Sequence, residues 1–188
     1  IEYGLGNQQR AEVYINRLLR YLLDSESPHG MGTEFLTAFL ESLPPSTGFD
    51  EDTYDLSDVR VDDQMPARDG ETRKYPDLVL DVPGEWLLVV ELNFSAAETG
   101  TDFYATAPRI GDQRIDDYES GCYYLYLHQH DEPTASSDAF ANWTWRSFVA
   151  DVLDRVITES APRYPQRTTT QLHDLRDDLR TITSMTDD

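Results

Sequence analysis

Tyr75-Pro76-Asp77-Leu78-Val79-Leu80-Asp81-Val82, then Pro83-Gly84-Glu85, then Trp86-Leu87-Leu88-Val89-Val90-Glu91-Leu92-Asn93-Phe94, is the stretch that decides the fold. Two runs of β-forming residues flank a Pro-Gly turn, the pattern of an antiparallel hairpin. With the turn centred on Gly84, paired positions sum to 168, so Asp77 falls opposite Glu91 and Tyr75 opposite Asn93. Directly opposed residues share a face with Cβ atoms about 4.5–5.5 Å apart, a spacing at which two carboxylates repel unless a cation sits between them. Glu91 also belongs to the run Leu87 to Leu92, which reads as buried on both faces, where an unpaired charge is costly. A plainer reading leaves both acids at a solvent rim, where one strand begins and the next ends. A one-residue change in the turn would separate them.

Upstream, Val13, Ile15, Leu18, Leu19, Leu22 and Leu23 recur at helical spacing from Gln8 to Leu23, and Asp24, Ser25, Ser27 and Pro28 stop them. Thr33 is a suitable N-cap for a second helix carrying Phe35, Leu36, Phe39, Leu40 and Leu43, ended by Pro44-Pro45. A strand is expected near Leu56 to Asp62. Downstream, the polar stretch to about Asp116 is expected to hold a short helix, and Cys122 to His128 reads as another strand. Ser136, Ser137 or Asp138 is expected to cap a long helix through Phe140, Trp143, Phe148, Val149, Val152, Leu153 and Ile157. A last amphipathic helix, about Thr170 to Thr183, carries Leu172, Leu175, Leu179 and Ile182. The sum is a mixed α/β sandwich without internal repeats, one domain over residues 1–188.

Composition narrows the function classes. A chain of 188 residues suffices for one hydrophobic core, and its longest apolar runs are too short to span a bilayer. The single cysteine, Cys122, cannot form an internal disulfide, and no charged-then-apolar leader opens the sequence, so the cytoplasm is the expected compartment. The Asn-x-Ser/Thr triplets at Asn93 and Asn142 are then chance matches. The formal charge is −21, with 23 Asp and 13 Glu dispersed along the chain and Lys74 as the sole lysine beside 14 Arg. Such acidity ordinarily opposes nucleic-acid binding. Dispersed Asp with almost no Lys instead reads as a halophilic surface, adapted to multimolar salt, where self-repulsion is screened. An isolated carboxylate therefore carries little information here.

Pro76-Asp77 followed after thirteen residues by Glu91-Leu92-Asn93 resembles the PD-(D/E)xK nuclease superfamily, whose site joins a Pro-Asp on one strand to an acid-x-lysine on the next. The element order over about residues 8–160 is similar, and the segment Ser27 to Leu40 resembles the N-terminal helix region of its prokaryotic branches. The resemblance implies a restriction-endonuclease-like three-layer sandwich, with a central mixed β-sheet flanked by helices. It implies that Asp77, Glu91 and the Leu92 carbonyl hold Mg²⁺ or Mn²⁺, with Glu34 as a further acid from a helix and Glu12 as its weaker alternative. The reaction implied is hydrolysis of a phosphodiester, DNA being the expected substrate, with a homodimer or additional domains of a longer protein as further expectations. Asn93 departs from the pattern, because it cannot supply the ammonium charge that the superfamily's lysine offers to the phosphate. Parity along the first hairpin strand offers Arg73 as a replacement cation, although a salt-bridged edge role is the plainer reading, and Lys74 faces the other way.

The remaining chemistry-bearing residues read as structural. His29 is expected at a turn, and His128 and His130 at a strand end. Tyr123, Tyr124, Tyr126, Trp143 and Trp145 are expected in packing. Arg109, Arg114 and Arg146 are candidate phosphate contacts. Three functional classes follow: a metal-dependent nuclease, a catalytically weakened relative that binds nucleic acid or a protein, and an interaction domain whose acids are only surface.

Overall fold

The computed structural model describes residues 2–50, 55–94, 100–129, 133–160 and 163–183. Helix α1 spans Glu2–Leu23 and α2 spans Glu34–Glu41. Three short strands follow, β1 (Arg60–Asp62), β2 (Ala67–Asp69) and β3 (Thr72–Lys74), and then the hairpin β4 (Leu78–Val82) and β5 (Trp86–Leu92). Next come helix α3 (Thr101–Thr106), strands β6 (Arg109–Ile110) and β7 (Gln113–Arg114), and the long strand β8 (Gly121–His128). Strand β9 (Ala141–Thr144) leads into α4 (Trp145–Phe148), which passes through a π-helical segment, Val149–Asp154, into α5 (Arg155–Ser160). Helix α6 (Gln166–Ile182) ends the described chain. No helix among the described residues is long and apolar enough to cross a membrane.

The chain is α/β, with a mixed five-stranded sheet in the order β1-β4-β5-β8-β9 and a four-stranded antiparallel sheet in the order β3-β2-β6-β7. In the main sheet β1, β4 and β5 are antiparallel neighbours, while β8 and β9 run parallel to β5. Strand alternation divides its side chains between two cores. Leu78, Leu80, Leu88, Val90, Leu125 and Leu127 pack with the helices on one face. Val79, Leu87, Val89 and Tyr126 pack on the other with Ala67, Tyr104 and Ile110, which come from the small sheet and α3. Burial of both faces explains why the hairpin reads as continuous apolar runs rather than alternation.

Two expectations need correction. The long helix expected from about Phe140 starts only at Trp145, because Ala141–Thr144 adds a fifth strand beside β8. The Thr144 hydroxyl accepts the Ser147 N–H at 3.2 Å and caps the helix there. The small sheet has no counterpart in the expected element order, since its strands are two or three residues long and carry no readable period. Thr33 precedes α2 as expected but makes no side-chain cap hydrogen bond.

One buried acid ties β4 to β1 and to the segment before β8. Asp81 of β4 is fully buried, yet Arg60 of β1 grips its two oxygens at 3.0 and 2.7 Å, and the Tyr118 hydroxyl donates to it at 3.0 Å. Arg60 is itself half exposed and Asp81 keeps the Tyr118 hydroxyl, so only part of the cost of a stranded buried charge applies. Arg60→Met should therefore lower stability by about 1.5 kcal/mol, measured by denaturant unfolding. An unchanged midpoint would show that Asp81 does not depend on this arginine.

Candidate functional site

The turn determines the site. Glu85 N–H closes it onto the Val82 carbonyl at 2.9 Å, and Gly84 takes a left-handed φ of 78° that other residues rarely adopt. The resulting register pairs Leu78 with Val90 and Val82 with Trp86, so paired positions sum to 168 as expected. One step beyond the ladder, Asp77 and Glu91 meet. Their contact is reciprocal: Glu91 Oε2 accepts the Asp77 N–H at 3.3 Å, and Asp77 Oδ2 accepts the Leu92 N–H at 2.7 Å.

Helix α1 forms the other wall of the site. Asn16 donates its amide to the Asp77 carbonyl at 3.4 Å, and Glu12 lies one helical turn earlier on the same face. Glu12, Val13, Asn16, Asp77, Leu92 and Phe94 line an open cleft of about 170 Å³. Burial pushes the Asp77 carboxyl up to about 6; the Leu92 N–H opposes this and the Glu12 charge adds to it. The Tyr104 hydroxyl, which donates to the Tyr75 carbonyl at 2.9 Å, is raised well above its usual range by burial and then by Glu91 and Asp77.

The oxygen set fits a hard divalent cation. Asp77 and Glu91 supply carboxylates, and Asn16 Oδ1 is buried with no hydrogen-bond partner. A residue in an extended strand points its N–H and C=O to the same side, so the Leu92 carbonyl faces the edge that Asp77 occupies. Among the described residues no group of three or more His, Cys, Asp or Glu side chains is placed to hold a metal ion. Mg²⁺ needs none, since it keeps several waters and is commonly held by one or two carboxylates.

Other expected residues lie elsewhere. Glu34 does not line this cleft; its carboxylate accepts the Tyr164 hydroxyl and pairs with Arg163 at 3.5 Å in a separate cleft. Glu12 occupies the position on a helix that Glu34 was expected to fill. Arg73 is exposed on β3, which belongs to the small sheet rather than to the hairpin strand, so the parity that aligned it with Asp77 does not apply. Lys74 sits over the Phe103 ring at 5.2 Å. Asn93 is buried, with its carboxamide donating to the Tyr126 hydroxyl and its carbonyl accepting the Trp145 indole N–H at 2.8 Å. His128 is buried and stacks on Tyr126, while His130 lies outside the described residues. His29 is fully buried at its turn, where Nδ1 accepts the Met31 N–H at 3.0 Å.

Asn16 and Tyr104 are the site residues that the sequence reading missed. Four-residue spacing from Glu12 could have shown Asn16, as a polar residue beside the apolar stripe of α1. Nothing local marks Tyr104. Comparison with protein-family models, curated proteins and solved structures returned no match.

Asp77 gives the site a pH signature. A carboxyl held near 6 in the folded state and near 3.8 unfolded binds its proton more tightly when folded. Its contribution therefore favours folding at low pH and is lost as pH rises through about 4 to 6, by on the order of 3 kcal/mol. Asp77→Asn should melt above the native protein at pH 8, and the gap should close below pH 4. A variant less stable at both pH values would contradict the strained-carboxylate account.

Proposed function

We propose that this protein is a Mg²⁺- or Mn²⁺-dependent phosphodiester hydrolase acting on nucleic acid, with DNA as the substrate, on a restriction-endonuclease-like sandwich. The observation that carries the reading is the seating of Asp77 and Glu91 on backbone N–H groups at the end of the hairpin, with Asp77 lining a cleft beside Glu12 and Asn16. The fold order supports it: a helix, an antiparallel β1-β4-β5 meander, a helix, then a parallel strand β8. The acidic composition supports a halophilic setting, in which multimolar salt screens repulsion between a −21 chain and a polyanion.

In this reading Asp77, Glu91 and the Leu92 carbonyl hold the cation, while Glu12 and the unpartnered Asn16 oxygen complete the polar wall. The cation, when bound, supplies Lewis-acid polarisation of the phosphoryl oxygen and raises the acidity of bound water. The chain's own work is positional. The Leu92 N–H orients Asp77, and the Asp77 N–H orients Glu91. Asn93 anchors the end of β5 to β8 through Tyr126 and Leu127.

That anchoring favours a second reading, a weakened relative that binds nucleic acid without cutting it. The residue at the superfamily's lysine position is engaged in packing, and no lysine or arginine is among the described residues lining the cleft. Metal-independent DNA binding without cleavage would select this second reading.

The first test is calorimetric Mn²⁺ titration in multimolar KCl. The native protein should bind with one-to-one stoichiometry, Asp77→Asn and Glu91→Gln should each weaken binding tenfold or more, and Glu34→Gln should leave it unchanged. Cleavage of a duplex DNA should follow the same order. Equal binding by native protein and both site variants would reduce the carboxylates to surface and remove the hydrolase reading.

A further inference from the structure

Four arginines stand side by side across the small sheet. The registers pair Arg73 of β3 with Arg68 of β2, Arg68 with Arg109 of β6, and Arg109 with Arg114 of β7. Directly opposed residues share a face, so the four guanidinium groups project from one row. The neighbouring register positions identify that face. Ala67 and Ile110, which pair with each other, are buried against the main sheet, so the arginine row lies on the outer surface. Arg73, Arg109 and Arg114 are exposed and Arg68 is partly covered at the centre.

Such a row is costly by itself. Like charges placed directly opposite destabilise a sheet, and this chain has 36 acids from which to draw partners. Yet among the described residues Arg68, Arg73 and Arg109 form no ion pair, and Arg114 reaches only Asp116, at 3.8 Å between exposed groups. Arg109 spends one N–H on the Asp112 backbone carbonyl at 2.6 Å. Arg68 Nε is buried with no hydrogen-bond partner. Among the described residues, then, three of the four guanidinium groups have no acidic partner and the fourth has only a distant exposed one, which leaves the row open to an anion.

We propose that the row Arg73-Arg68-Arg109-Arg114 is a docking surface for the phosphate backbone of duplex nucleic acid. Three strand spacings of about 4.8 Å give a track of roughly 14 Å, long enough to meet more than one phosphate of a strand. The planar guanidinium fork suits phosphate oxygens. The track also lies near the carboxylate cleft: Arg73 is four residues before Asp77, so their Cα atoms are within about 14 Å. The proposal extends the hydrolase reading by naming the surface that holds its substrate.

The test is anisotropy of a labelled duplex DNA across a KCl series in EDTA, so that binding is measured apart from metal chemistry. The native protein should bind with log K falling linearly in log salt. The double variant Arg68→Gln/Arg109→Gln should lower that slope by about 2, while Arg167→Gln, which removes an exposed charge from α6, should not change it. Circular dichroism would verify that each variant is folded. Equal slopes for native and double variant, a loss matched by Arg167→Gln, or no duplex binding at all would each overturn the docking surface. Retained salt-dependent binding by the native protein without cleavage in Mn²⁺ would sink the hydrolase reading while leaving this surface standing.

Discussion

One tight turn determines what this molecule can do. Because strand side chains alternate with period two, a single residue more or less between Val82 and Trp86 would send Glu91 to the helix-packed face and leave Asp77 alone. Gly84, with its left-handed φ, lets the chain reverse in three residues, and the ladder from Leu78–Val90 to Val82–Trp86 carries that register to the far end of the hairpin. The two carboxylates then meet where the ladder stops, which frees the Asp77 and Leu92 N–H groups to bond side chains instead of strands. The site is thus built from what an ending ladder leaves over.

This origin explains its electrostatics. The Leu92 N–H orients the Asp77 carboxylate but does not offset the burial that raises it. Glu12 adds charge of the same sign, and the Asn16 oxygen adds another acceptor without a donor. A purely structural polar cluster would be expected to balance acceptors against donors, since buried polar groups are nearly always paired. In the proposed reading a cation would answer the Asp77 carboxylate and the Asn16 oxygen, and an all-oxygen surround suits a hard one.

The parts of this structure that were legible in the sequence are those where periodicity and turn chemistry agree. The hairpin, its register, α1, β8 and the helix packing follow from runs long enough to show a period, and with them came the Asp77–Glu91 pair. The small sheet was invisible because two-residue strands such as Arg109–Ile110 have no period, and they are held by pairing across long stretches of chain. The fifth strand was read as helix because Phe140, Trp143 and Phe148 suit a helical stripe equally well; pairing of Ala141–Thr144 with β8 decides otherwise. Glu34 and Glu12 were both glutamates on helices, and only tertiary packing shows which one faces the carboxylate pair.

Arg73 shows how a residue can be chosen correctly for its chemistry and wrongly for its place. Parity along a single continuous strand would aim it at the carboxylates, but the chain leaves one sheet and enters another between Lys74 and Leu78. Tyr75, exposed and held at its carbonyl by Tyr104, lies in that crossing. Its consequence is a segregation of charge: acids converge at the end of the main sheet, and arginines align across the small one. With a net charge of −21, diffuse attraction cannot bring a polyanion to the cleft. In the proposed reading local positive charge must do so, and a row of guanidinium groups on adjacent short strands concentrates it at contact range.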